Sequence, residues 1–309
     1  MNKHKQTPGD DRRDMTRRLA LRLFGLGAGS LVALPAWAQE VQAAASAEPL
    51  ALPLVLQRIC GHVGISVPDV EKSALFYSRL FGGENVNGEK SPSLRYFITL
   101  GNGGSMAIGK LGTLGSQGKT VPLIDHYCVG ARPFNDAAWR ARLKLEGLTY
   151  IAQGVFASPD GIFVQVEGGQ GGESLSVGAV GRLPTLYGGA PLVHSDGYDH
   201  IRLHVPDLEK SIAFYGHIFG LKLAERRAGV AYLVNDRMSD PTRLALKQCA
   251  AGEAPNIHHV AVRVPKFDRS KMSASLQTLG AKILPAPEQP ERILRFADPD
   301  GIIVEFWPV

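Results

Sequence analysis

A chain of 309 residues with 34 Lys/Arg against 29 Asp/Glu carries a formal charge of +5, and 44% of its residues are hydrophobic. Seven of the basic and three of the acidic residues fall in the first 38, leaving 34 − 7 = 27 against 29 − 3 = 26, a net charge of +1 for the rest. That balance gives no field for nucleic acid or an anionic membrane, and three cysteines without a Cys-x-x-Cys spacing exclude a disulfide framework.

Near the start, Thr16-Arg17-Arg18 precedes an apolar stretch, Leu23 to Ala36, that closes on the small-x-small site Ala36-Trp37-Ala38. The stretch is Gly- and Ala-rich and falls short of the about 20 strongly apolar residues a membrane span needs. No later segment reads as a span either. The order of features resembles a bacterial twin-arginine (Tat) signal peptide, with Ala20 where that pattern usually has Phe. The resemblance implies that 1–38 are removed and that the folded chain passes the Tat translocon. It would then be periplasmic or secreted, with no stable membrane insertion after cleavage. Residues 39–56, rich in Ala and Pro, are expected to form a flexible arm.

Unit one opens with a strand near Ile59–Val67 that Pro68 ends; Asp69 caps a helix, which Gly82-Gly83 stops. Strands follow at Arg95–Leu100 and Ser105–Gly109. Unit two runs from His126 through a helix near Asp136–Glu146 to a strand at Gly161–Glu167, and a Gly/Pro-rich stretch then reads as a linker. Unit three repeats unit one. His62-Val-Gly-Ile-Ser-Val-Pro-Asp69 and Phe76-Tyr-Ser-Arg-Leu-Phe-Gly82 return as His200-Ile-Arg-Leu-His-Val-Pro-Asp207 and Phe214-Tyr-Gly-His-Ile-Phe-Gly220, offset by 200 − 62 = 138. Unit four starts at His258-His259, has a helix near Asp268–Leu279 and closes on Asp298-Pro-Asp-Gly-Ile-Ile-Val-Glu305. Its turn repeats Ser158-Pro-Asp-Gly161 of unit two, offset by 301 − 161 = 140. A strand–helix–strands unit buries one face of its small sheet, so such units must pair.

Four βαβββ-like modules, each opening on a histidine strand, with Pro-Asp-Gly turns before the last strand of the even ones, resemble the vicinal oxygen chelate superfamily. That group includes glyoxalase I, extradiol dioxygenases and the bleomycin- and fosfomycin-resistance proteins. The resemblance covers nearly all of 57–309. It implies an α+β fold of four βαβββ modules paired into two open-barrel halves, with an N-terminal half over 57–171, a linker over 172–196 and a C-terminal half over 197–309.

Residues two apart on a strand share a face, so His200, Arg202 and His204 point together while Ile201, Leu203 and Val205 point to the helix side. His62, His200 and His259 each sit six residues before a proline (Pro68, Pro206, Pro265), so His259 holds the equivalent position and His258 is expected beside it or at the surface. Carried over by that alignment, His200, His259 and Glu305 are the metal ligands the resemblance implies, two imidazoles and one carboxylate. Fe(II) is favoured, and Mn(II), Zn(II) or Ni(II) also suit the set. In the first half His62 and His126 hold the equivalent places, but Gln165 replaces the glutamate, which leaves a dication without charge compensation. Glu167 shares the face of Gln165, and Cys128 that of His126. A vestigial cavity is expected there.

Extradiol enzymes carry a histidine and a tyrosine shortly before the final glutamate. Here Arg295 stands at the tyrosine position, and 283–297 contain no histidine. His204 and Tyr232 are therefore the candidates for proton transfer, and Arg202 and Arg263 for holding an anionic substrate group. The expected function is that of an exported, divalent-metal-dependent, dioxygenase-like oxygenase acting with dioxygen on a vicinal diol or similar aromatic chelate. Two other classes remain. One is a glyoxalase-like isomerase or lyase, against which the acid-free Thr242-Arg-Leu-Ala-Leu-Lys-Gln248 counts. The other is a metal-free small-molecule-binding protein.

Overall fold

The computed structural model describes residues 47–82, 84–87, 95–101, 104–113, 115–169, 180–181, 189–286 and 291–309. The expected leader, residues 39–46 of the arm, and 172–179 and 182–188 of the linker lie outside the described residues. Module one comprises β1 (Leu56–Val67), α1 (Val70–Phe81), β2 (Glu84–Asn87), β3 (Arg95–Thr99) and β4 (Ser105–Lys110). Module two comprises β5 (Leu123–Ala131), α2 (Asp136–Leu145), β6 (Thr149–Ala152), β7 (Val155–Ala157) and β8 (Phe163–Gly168). A two-residue strand, β9 (Val180–Gly181), pairs with β2, so the stretch read as a linker adds to the first half's sheet. Module three is β10 (Tyr198–Val205), α3 (Leu208–Phe219), β11 (Lys222–Arg227), β12 (Val230–Val234) and β13 (Arg243–Gln248). Module four is β14 (Asn256–Val264), α4 (Arg269–Thr278), β15 (Lys282–Leu284), β16 (Leu294–Ala297) and β17 (Ile303–Pro308). The order βαβββ thus occurs four times.

The helices start where an Asp or Asn can accept an otherwise unpaired N–H. Asp69 accepts from Lys72 N, Asn135 from Ala138 N, Asp207 from Lys210 N and Asp268 from Lys271 N, at 3.0, 3.0, 3.1 and 3.1 Å. Gly220 ends α3 with φ of 64°, the left-handed conformation glycine adopts without steric cost. Among the described residues no helix is long and apolar enough to cross a membrane.

Within each module the first and last strands pair in parallel: β1 with β4, β5 with β8, β10 with β13, and β14 with β17. The leading strands of adjacent modules then pair antiparallel, β1 with β5 and β10 with β14. Each half is therefore an open array of strands with its paired leading strands at the centre, and Ile257 of β14 pairs with Ile124 of β5 to join the two into one sheet. The alternation read from sequence holds: Ile201, Leu203 and Val205 are fully buried on the helix side, and the histidines take the concave side.

The halves are interlocked. The Tyr77 hydroxyl of α1 donates to Asp298 Oδ2 at 2.7 Å, and Ser73 Oγ donates to Asp300, both in the Pro-Asp-Gly turn of module four. Reciprocally, Ser211 Oγ of α3 donates to Asp160 Oδ2 in the corresponding turn of module two at 2.8 Å. Phe81 packs edge-on against Phe306 at 6.1 Å between centroids, and Phe219 packs on Phe156 at 6.4 Å. Burying each such ring is worth roughly 2–3 kcal/mol. The chain before β1 bonds to the end of α3 (Leu54 N to Ile218 O, 2.9 Å), and the chain before β10 to the end of α1 (Leu192 N to Arg79 O, 3.0 Å).

Candidate metal centre

Strand register builds the centre of the second half. Arg243, His200, Ala261, Glu305 and Arg295 face one another in a row across β13, β10, β14, β17 and β16. The next row holds Tyr232, Ala245, Arg202 and His259. His200 and Glu305 are two strands apart, about 10 Å between backbones at the usual strand spacing. Their side chains can lean together because Ala261 lies between them.

The ligand atoms of His200, His259 and Glu305 lie within 4.8 Å of one another, and the residues are 0%, 1% and 4% exposed. His259 Nε2 is 3.4 Å from Glu305 Oε2. His200 Nδ1 meets Asp199 Oδ1 at 2.7 Å, which places the ring hydrogen on Nδ1 and leaves the Nε2 lone pair facing inward. That Nε2 is buried without a hydrogen-bond partner. Burial of a bare imidazole nitrogen is costly unless something else fills its place. Trp307 Nε1 donates to Glu305 Oε2 at 2.9 Å, and His258 Nδ1 lies 2.7 Å from His259 Nδ1.

The electrostatics favour ligand-ready protonation states. Burial pushes His259 down to about 4, against the opposing pull of Glu305. Burial also lowers His200, although Asp199 opposes it. Glu305 would be raised by burial, but His259, His200 and the Trp307 N–H outweigh this and hold its carboxyl well below the usual range. Two neutral imidazoles and one carboxylate therefore meet at neutral pH. The donor set and the orphaned His200 Nε2 both fit a divalent cation.

Tyr232 stands edge-on to His200 with centroids 5.6 Å apart, and its hydroxyl accepts from Arg202 Nη2 at 3.2 Å. The guanidinium carbons of Arg243, Arg227 and Arg202 lie 4.7, 5.3 and 5.8 Å from the Tyr232 ring centre. Arg295 Nε is 3.8 Å from Glu305 Oε1. Four cationic side chains thus lie against Tyr232 or Glu305, a setting for an anionic ligand.

Two expected site residues lie elsewhere. Arg263 donates to the Tyr198 carbonyl at 2.5 Å and to that of Asp196, so it clamps the chain leading into β10. His204, four residues along β10, is about 13 Å from His200 by strand rise. Its Nδ1 meets Glu253 Oε1 at 2.5 Å, and its ring stacks on His258 at 4.1 Å. Sequence reasoning missed the roles of Asp199 and Trp307, which were open to detection as the neighbour of one repeated histidine and the same-face partner of Glu305. It also missed Arg227 and Arg243, which reach the centre from strands with no repeated motif.

A family model described as Glyoxalase/Bleomycin resistance protein/Dioxygenase superfamily matches residues 197–306. A metallothiol transferase FosB of Lysinibacillus sphaericus (strain C3-41) is 32% identical over 117 residues, covering 35% of this chain and 79% of that protein. Among solved structures, the 2,3-dioxygenase LapB from Pseudomonas sp. KL28 superposes with a TM-score of 0.57 at 14% identity, over 83% of this chain and 93% of that one. The Mn(II)-bound glyoxalase from Novosphingobium aromaticivorans gives 0.56 at 19% identity over 82% of each chain. At these identities the two structures speak for the fold. With the FosB match and the four-module architecture, the chain belongs to the glyoxalase/bleomycin resistance protein/dioxygenase superfamily.

Proposed function

We propose that the second half is the active centre of a divalent-metal-dependent oxygenase of the extradiol type, acting on a small anionic aromatic with two adjacent oxygen donors. The carrying observation is the convergence of His200, His259 and Glu305, with an unpartnered His200 Nε2, next to a Tyr232 ring flanked by Arg202, Arg227 and Arg243. When bound, the cation supplies a Lewis acid that draws two neighbouring substrate oxygens together and lowers their proton affinity; Fe(II) is the favoured ion.

The protein's own groups do the rest. Arg202 and Arg243 hold the substrate's anionic group beside Tyr232. Because the Tyr232 hydroxyl accepts from Arg202, its own hydrogen is left to donate to a substrate oxygen. Asp199 and Trp307 orient His200 and Glu305. His204 acts as a positioning residue: stacked on His258 and tied to Glu253, it steadies the ring that contacts His259. Arg17-Arg18 and Ala36-Trp37-Ala38 support export, so this chemistry belongs to the periplasm. Retention of an Arg17→Lys/Arg18→Lys variant in the cytoplasm would test it.

The deciding experiment pairs metal analysis of the chain and its Glu305→Ala variant with oxygen uptake on a panel of catechols bearing carboxylates. The reading requires about one Fe(II) in this half, lost in the variant, and uptake that depends on it. Metal without uptake on any member would refute the oxygenase assignment. A second reading, metal-dependent thiol transfer, is favoured by the 32% identity to the metallothiol transferase. Metal-dependent consumption of a thiol without oxygen uptake would select it.

A further inference from the structure

The concave side of the first half holds a second convergence of donors that the reading above does not use. His62 Nε2 lies 3.2 Å from His126 Nε2 and 3.1 Å from Gln165 Oε1. Ligand atoms of His62, Cys128 and Glu167 lie within 4.8 Å of one another. His62, His126 and Gln165 are all buried. Register places Cys128 where the other half has Ala261, and Gln165 where it has Glu305.

Each donor is aimed. The Gln165 Nε2 donates to the Gln153 carbonyl at 2.9 Å and to Glu167 Oε1 at 2.8 Å, so its Oε1 must face the rings. His126 Nδ1 is held by Asp125, which accepts in turn from Ser66, and its Nε2 lone pair is thereby turned towards His62. Gly64 stands directly opposite His126 on β1, and a methyl there would overlap the His126 ring and the Asp125 carboxylate. Glycine is what admits the pair.

We propose that the first half binds its own divalent cation through His62 Nε2, His126 Nε2 and Gln165 Oε1, with Cys128 and Glu167 as adjacent donors. Without the ion, the His62 Nε2 hydrogen bridges the other two acceptors; binding shifts that hydrogen to Nδ1, with no net charge change on the ring. Two imidazoles, an amide oxygen and a nearby sulfur suit a late first-row ion such as Zn(II) rather than Mg(II) or Ca(II). Asp125 and Glu167, immediately behind the ligands, provide the two negative charges that the neutral set lacks. Under this proposal the first half is more than a vestigial cavity.

The test is Zn(II) stoichiometry of the chelator-stripped, refilled full chain. Two ions per chain are expected, one in Glu305→Ala, one in His126→Ala and none in the double variant. Gln165→Glu, measured in the Glu305→Ala background, keeps the shape and adds a charged donor, so Zn(II) must bind at least about tenfold tighter. That arm separates a lost ligand from a misfolded half. One ion in the wild type that survives in Glu305→Ala supports the first-half site and removes the second-half reading. One ion that survives in His126→Ala, two ions in His126→Ala, or an unchanged Kd in Gln165→Glu would overturn the proposal.

Discussion

Asp298 ties the strand that carries Glu305 to the opposite half, and it does so at an electrostatic cost. Burial pushes its carboxyl up to about 6 from an ordinary 3.8, although Tyr77, Ile302 N and Asp300 N all donate to it. A carboxyl whose pKa rises on folding binds more protons in the native state. Its contribution is therefore fully present below about pH 4 and is lost as the pH climbs through 6. A shift of about 2 units amounts to ~3 kcal/mol in all, of which about half is gone by pH 5. In Asp298→Asn the amide oxygen still accepts from Ile302 N and Asp300 N, and the amide nitrogen donates to the Tyr77 oxygen. Weaker, uncharged bonds take back about 1 kcal/mol. We therefore expect the variant to be more stable than the wild type by ~2 kcal/mol at pH 7.5. Urea denaturation of both proteins across this range, plotted as their difference, reads the effect directly. A difference that stays flat with pH, or that shifts in favour of the wild type as pH rises, would refute the reasoning.

Other outcomes follow from the site geometry. Asp199→Ala removes the acceptor that holds the His200 ring and should weaken metal binding about 10–100-fold, measured by competition with a chromophoric chelator while circular dichroism stays unchanged. Ala261→Val places a branched side chain between His200 and Glu305. It should abolish metal uptake by the second half at a stability cost of about 1–3 kcal/mol, and wild-type uptake would sink the row geometry. Arg243→Met removes a charge beside Tyr232 and Asp199 and should raise KM for a carboxylated substrate far more than for its uncharged analogue. Equal effects on both would argue that Arg243 serves the fold alone.

The leading strand and the helix of each module were legible because each is dictated locally: a proline follows the strand, an aspartate or asparagine caps the helix, a glycine closes it. Short strands such as β2, β6, β7, β15 and β16 carry no such mark and were missed. The equivalence of His200 and His259 was also readable, since a constant offset to proline fixes register, whereas Glu305 entered through the resemblance to the superfamily. What parity cannot supply is a partner. Arg263 shares a face with His259, yet its donors go to the carbonyls of Asp196 and Tyr198. His204 shares a face with His200, yet Glu253 and His258 hold it about 13 Å along the strand from the centre. The seating of α1 and α3 on the opposite half's turns is long-range, and no local pattern announces it. The same holds for Gln165, whose neutrality is offset by Asp125 across the sheet as well as by Glu167.

The exchange of helices has a consequence for how this molecule can vary. Ser73 and Tyr77 on one side, and Ser211 on the other, form clasps of the kind that two like subunits would offer each other. Here both clasps close inside a single polypeptide. A symmetric dimer must alter both of its cups whenever one changes, whereas this covalently joined pair is released from that equality. One bowl can carry a charged acid and the other a neutral amide, while the clasps keep either from drifting apart.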